Sequence, residues 1–547
     1  TTTTTLMDLL ASLSSFLTKL AAFFTLRMSE TTEQITFGIV LALAVIVIVK
    51  LTNRRHHYNL HARDVMKGHR WCVTRMFSRP CFCNICQKLI MVSDGAFCDS
   101  CGVCANSPEC IVAADKTLPC KLITTKSLTH KHHWIQGNLP LNASCEVCER
   151  DCGTEPKLND WWCCWCHRSA HDICVSSMEE VCDLGELKEC IVPPNCVRLK
   201  LSRMRKRLLF KEVLQPEIQN WSPVIVIGNR KSGSNEAESV LSSFRNVLNP
   251  AQVSDLADHP PEEALEWCRL LPSNVECRVV VAGGDGTVGW IFNVIHKMNL
   301  VRSPLVAVLP LGTGNDLSRV LGFGEGHTKY VDIVEYLQEV ASAEPAKLDR
   351  WSVRFIPKWK LGLPMSSSER FMNNYLSVGV DALVTLNFDQ TRKLPFYICN
   401  RLINKLIYFT FGTKDIFEHE CKDLDKKLEL YMDNQKVQLP NLEAVVVLNI
   451  ASWGAGVRPW TMGVGGADAP KQDFSDGLLE VFCLVSSFHI AQLQLGISEP
   501  IRLGQCSSLK LCLKGMAPMQ IDGEPWEQYP GTIVVSHSHQ ASVLLRD

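Results

Sequence analysis

The sequence has no excess of either charge: 56 lysines and arginines stand against 57 aspartates and glutamates, for a formal net charge of −1. That balance excludes a protein built mainly to hold nucleic acid. No cleavable signal peptide is evident in the first 30 residues, which show no basic start followed by an apolar run and a small-residue cleavage site. The thiols are therefore expected in a reducing compartment. Long apolar runs are scarce. The most apolar, Ile35–Val49 (ITFGIVLALAVIVIV), covers about 22 Å as a helix, short of the ~30 Å hydrocarbon thickness. No G-x-x-x-x-G-K-[ST] sequence occurs, which excludes the P-loop mode of holding ATP. No repeats or low-complexity tracts follow the five N-terminal threonines.

What is present is an ordinary globular composition, 46% hydrophobic and 21% charged, over 547 residues, enough for three or four folded units. Residues 1–34 read as a poorly ordered or weakly amphipathic N-terminal segment, and the missing initiating Met suggests a fragment or an unusual start. Lys50, Arg54, Arg55, Arg63 and Lys67 follow the apolar run, whereas Glu30 and Glu33 precede it. Residues 35–51 are accordingly expected to anchor the chain in a membrane, as a single span or a re-entrant segment, with everything downstream in the cytosol. The endoplasmic reticulum and the plasma membrane are the expected sites. A basic run at Arg203–Arg207 (RMRKR) is either a solvated face or a contact with an anionic membrane surface.

Cysteines are concentrated: 19 of the 26 fall between Cys72 and Cys196. Clustered C-x-x-C pairs with histidines inside a larger chain indicate zinc rather than disulfides. The second cluster reads His132-x12-Cys145-x2-Cys148-x14-Cys163-x2-Cys166-x4-His171-x2-Cys174-x7-Cys182. Its eight ligands suffice for two closed tetrahedral Zn²⁺ sites. The spacing resembles the C1 domain family, whose ligands interleave. The resemblance implies one zinc on His132, Cys163, Cys166 and Cys182, and another on Cys145, Cys148, His171 and Cys174. The first cluster is a looser copy, His69-x13-Cys83-x2-Cys86-x11-Cys98-x2-Cys101, then Cys110 and Cys120. By the same resemblance His69, Cys98, Cys101 and Cys120 hold one zinc. Cys83, Cys86 and Cys110 leave the other one ligand short, with Cys104 or water as candidates. Asn106 stands where the pattern expects histidine. Neither module carries the Gln-Gly loop of lipid-binding members, so a structural or docking role is expected of both, over residues 69–120 (degenerate) and 132–182.

After a connector at residues 183–220, Val224–Ile227, Val279–Ala282 and Leu305–Leu309 are apolar strands that end in glycine turns and run into helical sequence. This is the pattern of a parallel sheet in an α/β layer. The turns are Gly228-Asn229-Arg230-Lys231-Ser232-Gly233, Gly283-Gly284-Asp285-Gly286-Thr287 and Gly312-Thr313-Gly314-Asn315-Asp316. Glycines let a backbone approach phosphate, and a helix start presents unpaired N–H groups to it. Asp285 beside a polyphosphate requires a cation such as Mg²⁺ between them. Beyond about residue 350, closely spaced β runs predict a mostly antiparallel second lobe.

These motifs (GGDGT, LPLGTGND, residues 373–382 and residues 520–526) resemble the diacylglycerol kinase family over about residues 60–545, and the order of parts resembles its epsilon type. GGDGT alone also suits NAD kinases and sphingosine kinases. The resemblance implies a multidomain protein. A membrane helix and two zinc-bound C1 modules precede a two-lobed kinase, with an α/β catalytic domain at 221–350 and a β-rich accessory domain at 351–547. It implies transfer of the ATP γ-phosphate to diacylglycerol, with preference for polyunsaturated acyl chains. ATP is expected on Asn229, Lys231, Ser232, Gly283, Gly284, Gly286, Thr287, Gly312, Thr313, Gly314 and Asn315. Asp285, Asp316, Asp522 and Glu524 are the candidate catalytic carboxylates, for Mg²⁺ or as general base. The candidate acyl groove is Leu394–Gly412. A membrane adaptor with a dead kinase fold is the rival reading, disfavoured by intact carboxylates at all three motifs.

Overall fold

The computed structural model describes residues 69–74, 80–90, 95–155, 157–202, 207–230, 236–326, 331–357, 367–392, 421–463, 466 and 468–546. The anchor at 35–51, Lys231, Ser232, residues 203–206 of the basic run and the groove candidate at 394–412 lie outside the described residues. Among the described residues no helix is long and apolar enough to cross a membrane.

The catalytic lobe begins with β1 (Val224–Gly228), every residue of which is buried. After α1 (Glu236–Val247) the chain forms β2 (Val253–Asp255) and then β3 (Arg278–Gly283), α2 (Asp285–Met298) and β4 (Leu305–Pro310). The strands are parallel, in the order β2-β1-β3-β4. Unbroken apolar strands of this kind need cover on both faces, and the helices supply it. β2 lies on one side of β1 and β3 on the other, so connections leave β1 and β3 in opposite directions. The crevice at such a switch point is where open α/β sheets bind ligands. The turns that follow β3 and β4 lie side by side at that edge, since Gly283 pairs with Pro310 in register.

The second lobe does not hang from the first by a tether. After α3 (Asp316–Val320) and α4 (Ile333–Ser342), β5 (Glu344–Pro357) runs antiparallel along β16 (Gly531–Leu545). β16 also touches β4, with Val306 opposite Val543. This last described strand therefore joins a ten-stranded sheet that crosses both lobes and also holds β6 (Ser368–Met372), β8 (Leu428–Met432), β9 (Gln435–Val437) and β13 (Ser508–Leu513). A separate six-stranded antiparallel sheet carries β7 (Tyr375–Gly379), β10 (Ala444–Leu448), β11 (Leu479–Leu484), β12 (Ile501–Cys506), β14 (Ala517–Ile521) and β15 (Glu524–Gln528). The mostly antiparallel second lobe matches the strand spacing in the sequence.

The cysteine modules share one continuous core with the catalytic lobe. Asp99 of the first module meets Arg245 of α1 at 3.0 Å, with both side chains almost wholly buried. Lys121 donates to the Asn246 carbonyl at 2.7 Å, closing the C-terminal end of α1, and lies 4.4 Å from the Trp165 ring of the second module. Burial lowers its pKa to about 8. The 183–220 stretch, expected as a connector, is packed as well. Cys190, Ile191 and Val192 are buried, and the Gln252 side chain donates to the Cys190 carbonyl and accepts from Val192 N–H. Hydrogen-bonding demand at these buried backbone groups fixes the segment against the lobe.

Candidate active site and metal sites

The two glycine turns press backbone against backbone. A methyl group at Gly312 would come within 2.7 Å of the Gly284 Cα, and one at Gly283 within 2.8 Å of the Thr287 side chain. Only glycine allows that approach. Leu311 N–H donates to the Gly283 carbonyl at 3.0 Å, and Asn315 braces its own turn by donating to the Gly312 and Glu325 carbonyls, both at 2.9 Å. α2 starts at Asp285, so its first N–H groups open toward the cleft. The third turn is different in character: a methyl at Gly228 would strike Leu241 of α1, and Arg230 is drawn aside to Asp255 (3.2 Å) and Asp258 (2.6 Å). Asn229 follows the end of β1 at the same edge.

The four candidate carboxylates divide into two kinds. Asp522, in the left-handed region at φ 49°, accepts from the backbone N–H groups of Asn373 (2.8 Å), Asn374 (2.7 Å) and Tyr375 (3.1 Å) and from Asn373 Nδ2 (2.9 Å). Asp316 accepts from Ser452 Oγ (2.6 Å), Gly456 N (3.1 Å), Ala455 N (3.3 Å) and Tyr375 Oη (3.4 Å). Burial raises the pKa of each. Both carboxylates are enclosed by donors: Asp522 fixes the 373–375 turn within the second lobe, and Asp316 pins the Ser452–Gly456 loop of the second lobe beside the first.

Asp285 and Glu524 face the cleft. Asp285 accepts from Asp316 N–H at 3.1 Å and Leu317 N–H at 3.2 Å. Burial, together with the neighbouring Asp316 charge, pushes its pKa up to about 7. Glu524 is exposed, and its Oε1 lies 3.1 Å from where a Cβ on Gly286 would stand. Its side chain has no hydrogen bond or ion pair among the described residues. The Asp522-Gly523-Glu524 turn thus carries Glu524 from the second lobe to the GGDGT turn of the first. Asn374 hydrogen-bonds Asp285, while its Oδ1 is buried without a donor among the described residues. Asp285 and Asn374 Oδ1 are hard oxygen donors of the kind that suits Mg²⁺.

Sequence reasoning missed three supports. Arg350, wholly buried, donates to Asn373 Oδ1 (2.7 Å) and Asn293 Oδ1 (2.6 Å) beneath the site. Arg319 packs on Gly456 and donates to the Gly314 carbonyl at 3.4 Å. The Ser452–Gly456 loop holds Asp316; its signal was a glycine-alanine turn directly after the apolar run 444–450.

All four cysteine groups gather as the resemblance implied, each with its donor atoms within 4.8 Å of one another. They are His69/Cys98/Cys101/Cys120, His132/Cys163/Cys166/Cys182, Cys145/Cys148/His171/Cys174 and Cys83/Cys86/Cys110. A tetrahedral zinc with the usual bond lengths needs edges of about 3.8 Å between sulfurs and about 3.5 Å from sulfur to nitrogen. The observed Cys98–Cys120 separation is 3.7 Å, and Cys101–His69, Cys166–His132 and Cys148–His171 are 3.2, 3.4 and 3.3 Å. In each pair the histidine atom is Nδ1. His69 Nε2 and His171 Nε2 face the Leu118 and Asp151 carbonyls at 3.2 and 3.1 Å, which leaves the Nδ1 lone pair for a metal. The donor sets fit zinc. Cys104 takes no part; its thiol donates to the Gly102 carbonyl at 3.5 Å.

Residues 223–348 match the diacylglycerol kinase catalytic domain and residues 371–525 the diacylglycerol kinase accessory domain. Diacylglycerol kinase 2 of Arabidopsis thaliana is 30% identical over 565 residues, covering 82% of this chain and 78% of that protein. The chain belongs to the diacylglycerol kinase family. Probable diacylglycerol kinase 3 of Caenorhabditis elegans is 31% identical across 87% of the chain, which spans 64% of that protein. Human diacylglycerol kinase iota is 32% identical across 76%, and the chain spans 43% of its length. The turns and carboxylates above belong to the two domains that define the family.

Proposed function

We propose that the protein is an active diacylglycerol kinase, moving the γ-phosphoryl group of ATP to the free hydroxyl of diacylglycerol to give phosphatidic acid. The observation that carries this reading is Glu524, a carboxylate without a partner among the described residues, delivered by the second lobe to Gly286, next to Asp285. A lipid alcohol is a poor nucleophile, and phosphoryl transfer depends on in-line placement and charge neutralisation. In this reading the N–H groups at the start of α2 and around Gly312–Gly314 hold the triphosphate. Bound Mg²⁺ would neutralise charge on the transferring phosphoryl group, with Asp285 and Asn374 Oδ1 as its protein ligands. Glu524 takes the hydroxyl proton, and Asp316 and Asp522 are positioning residues.

The finer assignments are also proposals. The apolar run at 35–51 attaches the chain to an endoplasmic reticulum or plasma membrane, leaving the catalytic region in the cytosol. The order of apolar run, two cysteine modules and two kinase domains supports the epsilon type, and with it a preference for polyunsaturated chains. Incubation of the purified chain with ATP, Mg²⁺ and separate micelles of diacylglycerol, sphingosine and ceramide tests the substrate class. Diacylglycerol is expected to be phosphorylated at least tenfold faster than the other two, and equal or greater turnover of either sphingolipid overturns the reading.

A further inference from the structure

The two cysteine modules repeat one scaffold, and they differ at a single donor. In the second module Cys145, Cys148 and Cys174 are completed by His171, which follows Cys166 by five residues. In the first, Cys83, Cys86 and Cys110 gather in the same way, and the residue five after Cys101 is Asn106. Asn106 hydrogen-bonds Cys86, and its Oδ1 is buried with no donor among the described residues. Leaving a buried amide oxygen unpaired is destabilising, because its lost hydration is not replaced. The neighbouring Asn84 shows how this module normally treats such an atom, since its Oδ1 accepts from Cys104 N–H at 2.8 Å. Cys104, the other sulfur in reach by sequence, is turned to the Gly102 carbonyl.

We propose that Asn106 Oδ1 is the fourth donor of a zinc ion held by Cys83, Cys86 and Cys110, and that this zinc exchanges more readily than the other three. The metal satisfies the orphaned oxygen, and the oxygen closes the tetrahedron that histidine closes in the sister module. An amide oxygen is neutral and hard, and it is a weaker partner for borderline Zn²⁺ than imidazole nitrogen. Exposure of Cys86 gives ions and chelators a path that the buried His69 group lacks. The chain then carries three tightly held structural zincs and one exchangeable zinc, so its metal content responds to the surrounding free zinc.

The test uses the full chain in detergent and counts zinc by elemental analysis during titration with a zinc chelator, independent of any lipid-kinase assay. Four zincs are expected, one leaving at chelator concentrations about 10–100-fold below those that remove the rest. Asn106→Ala should release that zinc earlier still. Asn106→His should delay it until it leaves with the others, and Asn106→Asp, which keeps the oxygen and adds charge, should also delay it. Three zincs at the outset, a single release step for all four, or identical release from wild type and Asn106→Ala would overturn the proposal.

Discussion

Asp522 and Glu524 stand two residues apart in one turn, and the structure predicts opposite outcomes for their removal. Asp522→Ala takes away the acceptor for three backbone N–H groups and one side-chain N–H. Hydrogen bonds to a charged acceptor contribute about 1.5–3 kcal/mol each. They share one carboxylate and are not additive, so a loss of about 3–5 kcal/mol is the reasonable total. At about 2–4 °C per kcal/mol for a lobe of this size, the melting transition should fall by roughly 6–20 °C. Glu524→Ala removes an exposed carboxylate with no partner among the described residues, and stability should change by less than about 0.5 kcal/mol. Activity should nevertheless fall about 10²–10⁴-fold, the usual contribution of a positioned base. Scanning fluorimetry and radiolabelled phosphatidic acid formation measure both quantities on the same preparations. An Asp522→Ala protein that melts like wild type, or a Glu524→Ala protein within about threefold of wild-type activity, refutes the division of roles.

Arg245→Met should strip Asp99 of its buried partner while Arg70 remains at 3.2 Å. A loss of about 3 kcal/mol is expected, and a melt unchanged within 1 °C would show that the first module is not built into the catalytic lobe. Cys166→Ser should remove one zinc worth ~10 kcal/mol of folding free energy and abolish activity, because the modules and the lobe share a core; full activity with that zinc missing would contradict this. Asp285 titrates at about 7 in the folded state against an ordinary 3.8. The folded state therefore binds more protons, and stability in Mg²⁺-free buffer should fall as pH rises from about 4 to about 7 and level above it. Asp285→Asn should flatten that slope, and an unaltered slope in thermal melts removes the assignment.

Much of this arrangement was written in local pattern. Val224–Gly228, Arg278–Gly283 and Leu305–Pro310 are continuous apolar runs ending in glycine, and buried parallel strands look like that in any sequence. The zinc ligands were legible because metal chemistry fixes both residue type and spacing. Other features depend on partners far apart in the chain. Asp99 and Arg245 are 146 residues apart, so the docking of the modules leaves no local trace. β5 opens with Glu344-Pro345 and alternates weakly, and only pairing with the last strand defines its length. Asp522 and Glu524 could not be told apart as letters. One is enclosed by the N–H groups of the 373–375 turn and the other projects to Gly286, a distinction that exists only once the two lobes meet.

The most direct test of the central claim is a transfer experiment with γ-labelled ATP, excess Mg²⁺ and diacylglycerol micelles, run on wild type and Glu524→Gln in parallel. The label should appear in phosphatidic acid with wild type, disappear when Mg²⁺ is chelated selectively, and fall at least ~10²-fold with Glu524→Gln while zinc content and melting temperature stay unchanged. Wild-type protein with its full zinc content that leaves the lipid unlabelled, or a Glu524→Gln protein that labels it at the wild-type rate, would contradict the account.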